Sequence, residues 1–210
     1  MRHYVLLFTF HVNPIKILKT QLVLIRHSAV LVEPEVAAAR WRLSENGRFL
    51  SHQLADQLRP YAPTRFITSD EAKAVETGQI MAAQLGLPCT VEADLHEHNR
   101  AGLPFFEDKD AWKTAVSHFF AQPDQPVLGE ETAVQARQRL EQAIARLQQQ
   151  YPDDRLALVS HGRILTAFIS YYNTAVDPSS FWQRLTLPCA FILDAANYQL
   201  QEQIYITEEP

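Results

Sequence analysis

Two unbroken apolar runs, Leu22 to Ile25 and Leu156 to Val159, each end on a polar pair, Arg26-His27 in the first and Ser160-His161 in the second. Because every position is apolar, rather than every second one, they predict strands buried on both faces, as in a parallel sheet. Arg65-Phe66-Ile67-Thr68 and Cys89 to Val91 are two shorter strand candidates. Between the strands the apolar positions fall at helical spacing. Leu50, Leu54 and Leu58 recur every fourth residue behind Ser44, a good N-cap, and Pro60 and Pro63 stop that helix. Ala74, Thr77, Met81 and Leu85 share one face of a second helix that starts at Ser69-Asp70 and ends at Gly86 and Pro88. Thr132 and Gln135 make a capping-box pair ahead of a long stripe of Ala136, Leu140, Ile144, Leu147 and Tyr151. Helices are also expected at 109–120 and from about 164 to 172, and Phe191 to Leu193 with Gln199 to Ile206 reads as a closing hairpin.

Strands alternating with helices predict an α/β fold, a three-layer sandwich with a mostly parallel sheet and helices on both faces. No repeat, low-complexity tract or linker divides the chain, so residues 21–210 are expected to form a single domain. Residues 1–20 are read as an N-terminal extension, loosely ordered or loosely docked. Its apolar run from Tyr4 to Val12 is broken by Asn13-Pro14 and falls short of the about 20 residues that span a bilayer. It also contains His11 and lacks a small-x-small cleavage site, which speaks against a signal peptide.

Composition narrows the function classes. A net charge of -5 argues against a general nucleic-acid binder, which would carry a basic face. A content of 47% hydrophobic and 20% charged residues suits an ordinary globular protein, not a disordered chain or coiled coil. Cys89 and Cys189 make no disulfide framework and read as small core residues, so a reducing, cytoplasmic setting is the default, with no membrane partner. His3, His11, His52 and His118 have no metal-site spacing, and no phosphate-cradling glycine loop or dinucleotide fingerprint is present.

In open α/β sheets ligands bind beyond the carboxyl ends of the strands. Arg26-His27 and Ser160-His161 both stand where an apolar strand has just ended, so two histidines are delivered to one rim. A neutral imidazole nitrogen can attack phosphorus, and the phosphoramidate formed is readily hydrolysed. Such a step needs cationic donors around the phosphoryl oxygens. Arg26 offers a planar two-pronged donor, and His161 another if protonated. The plainer alternative is two unrelated histidines at strand ends.

Five segments, in order, resemble the histidine phosphatase superfamily, also called the phosphoglycerate mutase-like family. The first is Leu22-Val23-Leu24-Ile25-Arg26-His27-Ser28, beside the family's strand followed by Arg-His-Gly. The second is Ser69-Asp70-Glu71-Ala72-Lys73-Ala74-Val75-Glu76-Thr77-Gly78, beside a Ser-x-x-x-x-Arg-Ala-x-x-Thr-Ala helix start, with one residue fewer before the basic position. Leu95-His96-Glu97 matches a Leu-x-Glu acid loop, and Glu130-Glu131-Thr132 after Gly129 echoes Gly-Glu-Ser before a helix. Ser160-His161-Gly162 matches a strand followed by Ser-His-Gly, and the resemblance spans about residues 21–195.

The resemblance implies that His27 takes the phosphoryl group while Arg26, Lys73 and His161 form the phosphate pocket. Glu97 would protonate the leaving alkoxide and then help activate water, which suits a carboxyl group with a raised pKa. Asp94 and His98 are the nearby substitutes. Neither a cofactor nor a metal is implied, and the expected partner is a small phosphorylated substrate. Two positions depart from the pattern. Ser28 replaces glycine, where its hydroxyl either donates to a ligand or crowds the site. Lys73 replaces arginine and loses the rigid fork, unless it is simply a solvated helix residue. Arg40, Arg42, Arg100 and Arg163 are further basic residues, read as substrate contacts or as ordinary surface arginines, and Trp41 covers either the site's edge or the core. Three functions follow: a phosphomonoester hydrolase working through phosphohistidine, a catalytically weak or inactive phosphate-ligand binder, and a phosphoglycerate mutase-type phosphotransferase.

Overall fold

The computed structural model describes residues 21–99, 103 and 105–206; the expectations placed on residues 1–20 and on Arg100 lie outside them. Six strands, β1 (Gln21–Arg26), β2 (Arg65–Thr68), β3 (Cys89–Val91), β4 (Leu156–Ser160), β5 (Cys189–Asp194) and β6 (Leu200–Tyr205), form one sheet in the order β3-β2-β4-β1-β5-β6. The β1–β4, β2–β4 and β2–β3 pairs are parallel, whereas β5 runs antiparallel to both β1 and β6. The sheet is therefore mixed, parallel on one side and closed by the expected hairpin on the other.

Helices α1 (Glu45–Leu58), α2 (Ala72–Leu85), α3 (Lys109–Ala121), α4 (Ala133–Gln150), α5 (Gly162–Tyr172) and α6 (Pro178–Gln183), with short 3-10 turns at Ala38–Arg40, Arg59–Tyr61 and Ala93–Leu95, complete the described elements. The apolar runs explain why both faces of the sheet are covered. Leu22, Leu24, Leu156 and Leu158 pack with Leu140, Ile144, Leu165 and Phe168 from α4 and α5. Their alternates Val23, Ile25, Ala157 and Val159 pack with Leu54, Leu58, Ala74 and Met81 from α1 and α2. This is a three-layer sandwich. Caps act where the sequence placed them: Ser44 accepts from the Gly47 amide, Thr132 and Gln135 form a reciprocal capping box, and Gly86 ends α2 at φ 68°.

Two features differ from expectation. The second helix begins at Ala72 rather than at Ser69-Asp70, because the Ser69 hydroxyl engages His161 and the Glu71 amide instead of capping a helix. The short α6 had no apolar periodicity to announce it; Asp177 caps it and Pro178 opens it. Among the described residues no helix is long and apolar enough to cross a membrane.

Candidate active site

Strand register brings the two histidines together. Arg26 pairs with Ser160 across β1 and β4, and the His27 amide continues the ladder to the Ser160 carbonyl at 3.0 Å. His27 and His161 thus leave neighbouring strands side by side, their rings 5.2 Å apart. His27 is 8% exposed, and its Nδ1 lies 2.8 Å from the Ser28 carbonyl. A carbonyl only accepts, so Nδ1 carries the proton and Nε2 keeps its lone pair. Burial, then the neighbouring His161, Lys73 and Arg26, hold the His27 pKa well below the usual imidazole value. The ring is neutral at neutral pH.

Ser28 has its hydroxyl committed to the protein rather than left free for a ligand. Its hydroxyl donates to the Gly47 carbonyl at 2.6 Å, and its amide donates to Thr77 Oγ1, which in turn donates to the Lys73 carbonyl. This chain ties the turn after β1 to α1 and α2. Lys73 is not a solvated helix residue: it is 6% exposed, donates to the Ala38 carbonyl at 2.8 Å and pairs with Glu71. Arg26 Nη1 donates to the Leu185 carbonyl at 2.9 Å, while its buried Nε has no hydrogen-bond partner among the described residues. His161, at the N-cap of α5, is fully buried, and burial pushes its pKa down to about 4. Its Nε2 lies 2.9 Å from Ser69 Oγ and 3.3 Å from Glu71 Oε1, while Nδ1 is unpartnered among the described residues. The expected protonated donor is thus a neutral one that can still offer its Nε2–H to an anion.

Glu97 is bound within the fold in a way its loop position did not announce. Its Oε1 accepts from the His98 amide at 2.9 Å and the Ile164 amide at 3.0 Å, and its Oε2 from the Arg163 amide at 3.1 Å. The carboxylate therefore caps the N-terminus of α5. Burial pushes its pKa up, but the charge of Arg163, with His161 and His98 and the His98 amide bond, overcomes this and leaves the pKa lowered. The raised pKa expected of a proton donor is absent, because the first turn of a helix favours the ionised form. The two nearby substitutes are engaged as well. Asp94 pairs with Arg146 at 2.5 Å, and His98 Nε2 donates to the Leu128 carbonyl while Nδ1 accepts from Arg163 Nε.

A family model described as histidine phosphatase superfamily (branch 1) matches residues 22–200. The chain belongs to the histidine phosphatase superfamily. No curated protein matches its sequence significantly. Among solved structures, the mycobacterial glucosyl-3-phosphoglycerate phosphatase superposes with a TM-score of 0.70 at 18% identity, over 89% of this chain and 98% of that one. YhfR from Bacillus stearothermophilus gives 0.68 at 19% identity, over 90% and 98%. A phosphoserine phosphatase variant from Entamoeba histolytica in complex with phosphoserine gives 0.65 at 18% identity, over 88% and 96%. These likenesses confirm the superfamily's fold.

Within the superfamily frame, several residues that hold the site carried no expectation. Arg139 on α4 donates to the Asp94, His96 and Glu97 carbonyls and forks onto both oxygens of Glu131. Glu131 Oε2 also accepts from the Asn99 amide at 2.8 Å. Arg163, expected as a substrate or surface arginine, is 8% exposed and stacks 4.9 Å above the Trp112 ring while bonding His98. It orders the Glu97 loop. Arg40 and Arg42 are exposed, and Trp41 donates to the Glu33 and Val36 carbonyls and meets Phe105 edge-on at 6.1 Å.

Proposed function

We propose that the protein is a phosphomonoester hydrolase that acts on a small phosphorylated metabolite through a phosphohistidine at His27. One observation carries this reading: a neutral, buried imidazole whose proton is parked on Nδ1, leaving Nε2 its lone pair, with His161 beside the ring and Lys73 and Arg26 close enough to bear on its pKa. In a buried site a nucleophile stays uncharged and cationic donors gain strength, which favours attack on a phosphate dianion. The orphan Arg26 Nε and the Nε2–H of His161 are donors suited to phosphoryl oxygens. Two of the similar structures bear phosphatase names, which supports the same class.

In the reaction, a P–N bond forms from His27 Nε2 as the bond from phosphorus to the leaving oxygen breaks, and that oxygen departs with a proton taken up from solvent water. Water then attacks the phosphohistidine, the P–N bond breaks, and the proton consumed in the first step is returned as phosphate leaves. Glu97, as the cap of α5, positions His161 and Arg163 rather than donating the proton. The test is turnover of p-nitrophenyl phosphate by wild type and His27→Ala. A loss of at least about a thousandfold is expected for removal of a covalent nucleophile; equal rates would refute the role.

A second reading, an anion-binding member with little turnover, is favoured by one observation. Lys73 and His161 already face the Glu71 carboxylate. It predicts anion binding that survives without any phosphohistidine.

A further inference from the structure

Glu71 stands at the N-cap position of α2 yet gives that helix no side-chain hydrogen bond. Its carboxylate turns into the site instead. Oε2 pairs with the Lys73 ammonium, and Oε1 accepts from the Glu97 amide at 2.8 Å and lies 3.3 Å from His161 Nε2. The side chain is 11% exposed. An ammonium, an imidazole N–H and a backbone amide converging on one small anion are also the donors that a phosphoryl group takes. Lys73 and His161 are two of the three side chains that bear on His27. Two donors of the candidate phosphate pocket, the Lys73 ammonium and the His161 ring, already hold a resident carboxylate.

We propose that substrate phosphate displaces Glu71 from Lys73 and His161, and that Glu71 takes up one proton as it is displaced. This rests on the reading of the His27 surroundings as a phosphate site. A phosphate dianion and a carboxylate repel strongly when they share one ammonium away from water. A proton on the carboxyl removes that repulsion and still leaves an oxygen for the Glu97 amide. The groups facing Glu71 are Lys73 on α2, His161 at the head of α5, the Glu97 amide on the loop after β3, and the Ser69 hydroxyl. Burial disfavours the Glu71 carboxylate, and the electrostatic pull of His161 and Lys73 with bonds from Lys73 and Glu97 outweighs it, leaving the pKa lowered. Once phosphate engages those two donors, burial is left to dominate. Glu71 thereby becomes a brake on anion binding at neutral pH that acid releases.

Sulfate is a suitable probe, because it stays a dianion across the neutral range and any proton taken up belongs to the protein. Calorimetric titration of sulfate into wild type and Glu71→Gln, in buffers of different ionisation enthalpy, should show about one more proton bound per sulfate in wild type. The wild-type affinity should weaken by about tenfold per pH unit more than that of the variant, as one linked proton requires. Equal uptake and equal affinity would overturn the proposal, as would weaker binding by Glu71→Gln throughout. Should the variant not fold, the carboxyl carbon-13 shift of Glu71 in wild type must move to its protonated value when sulfate binds; an unmoved shift overturns the proposal. Absence of sulfate binding in both proteins would remove this inference together with the phosphate site, whereas a missing phosphohistidine alone would remove only the hydrolase reading.

Discussion

Replacing Glu97 with glutamine turns one of two acceptor oxygens at the head of α5 into a donor and deletes the charge. If the amide oxygen stays on the His98 and Ile164 amides, the new NH2 group faces the Arg163 amide, with the Arg163 guanidinium 3.6 Å from that oxygen's former position. One charge-assisted hydrogen bond is lost, about 2 kcal/mol, and two donors are left opposed. Loss of the carboxylate from the helix N-terminus adds about 1 kcal/mol, so the total is about 3 kcal/mol. At about 2 kcal/mol per molar urea, the unfolding midpoint should fall by about 1.5 M at pH 7. The sign of the pH dependence follows from the lowered pKa. A carboxylate favoured by the fold contributes fully above its unfolded pKa of about 4.3 and loses that contribution as pH falls toward the folded value. The gap between wild type and variant should therefore narrow progressively below about pH 4. Turnover should fall alike for p-nitrophenyl phosphate, whose leaving group needs no proton, and for an alkyl phosphate, whose leaving group does. Equal urea midpoints, with loss confined to the alkyl ester, would refute the capping role and restore Glu97 as the acid.

Two further outcomes test the frame of the site. A Cβ at Gly78 would stand 2.2 Å from Thr68 Cγ2 and 3.3 Å from Val159 Cγ2, so Gly78→Ala should cost about 1–3 kcal/mol by overpacking α2 on the sheet. The melting temperature should fall by several degrees and recover in part when Thr68→Ser removes the opposing methyl; a rise in the single variant would contradict the packing. Arg139→Ala unties the 94–97 carbonyls from Glu131, so hydrogen exchange at the Glu97 and His98 amides should quicken and turnover drop by about tenfold or more, with unchanged exchange counting against the anchor.

The sheet and its helices were legible because their signals are local. Four apolar residues in a row mark β1 and β4, Ser44 and the Thr132–Gln135 pair start two helices, and Gly86 ends another. Even the meeting of His27 with His161 follows from two strand ends and one sheet rim. What stayed hidden depends on contacts far apart in sequence. Glu97 was read as a proton donor on a loop, and its role as a cap stayed hidden because the amides that bind it, Arg163 and Ile164, come 66 and 67 residues later. Arg139 showed only as a polar position on an amphipathic helix, though it reaches back 45 residues to the Asp94 carbonyl. Glu71 read as one acidic residue among several at a helix start. Its departure from its own cap position, which makes it a partner of Lys73 and His161, has no sequence signature.

The proposed mechanism requires that His27 Nε2 become covalently phosphorylated. A rapid-quench experiment with a radiolabelled phosphate monoester tests it most directly, by following label that stays on the denatured protein. Wild type should carry label that withstands alkali and is lost in acid, as a phosphoramidate does, and a proteolytic fragment containing His27 should hold it. His27→Ala should carry none. Label retained in that variant, or turnover by wild type without any protein-bound label, would contradict the account.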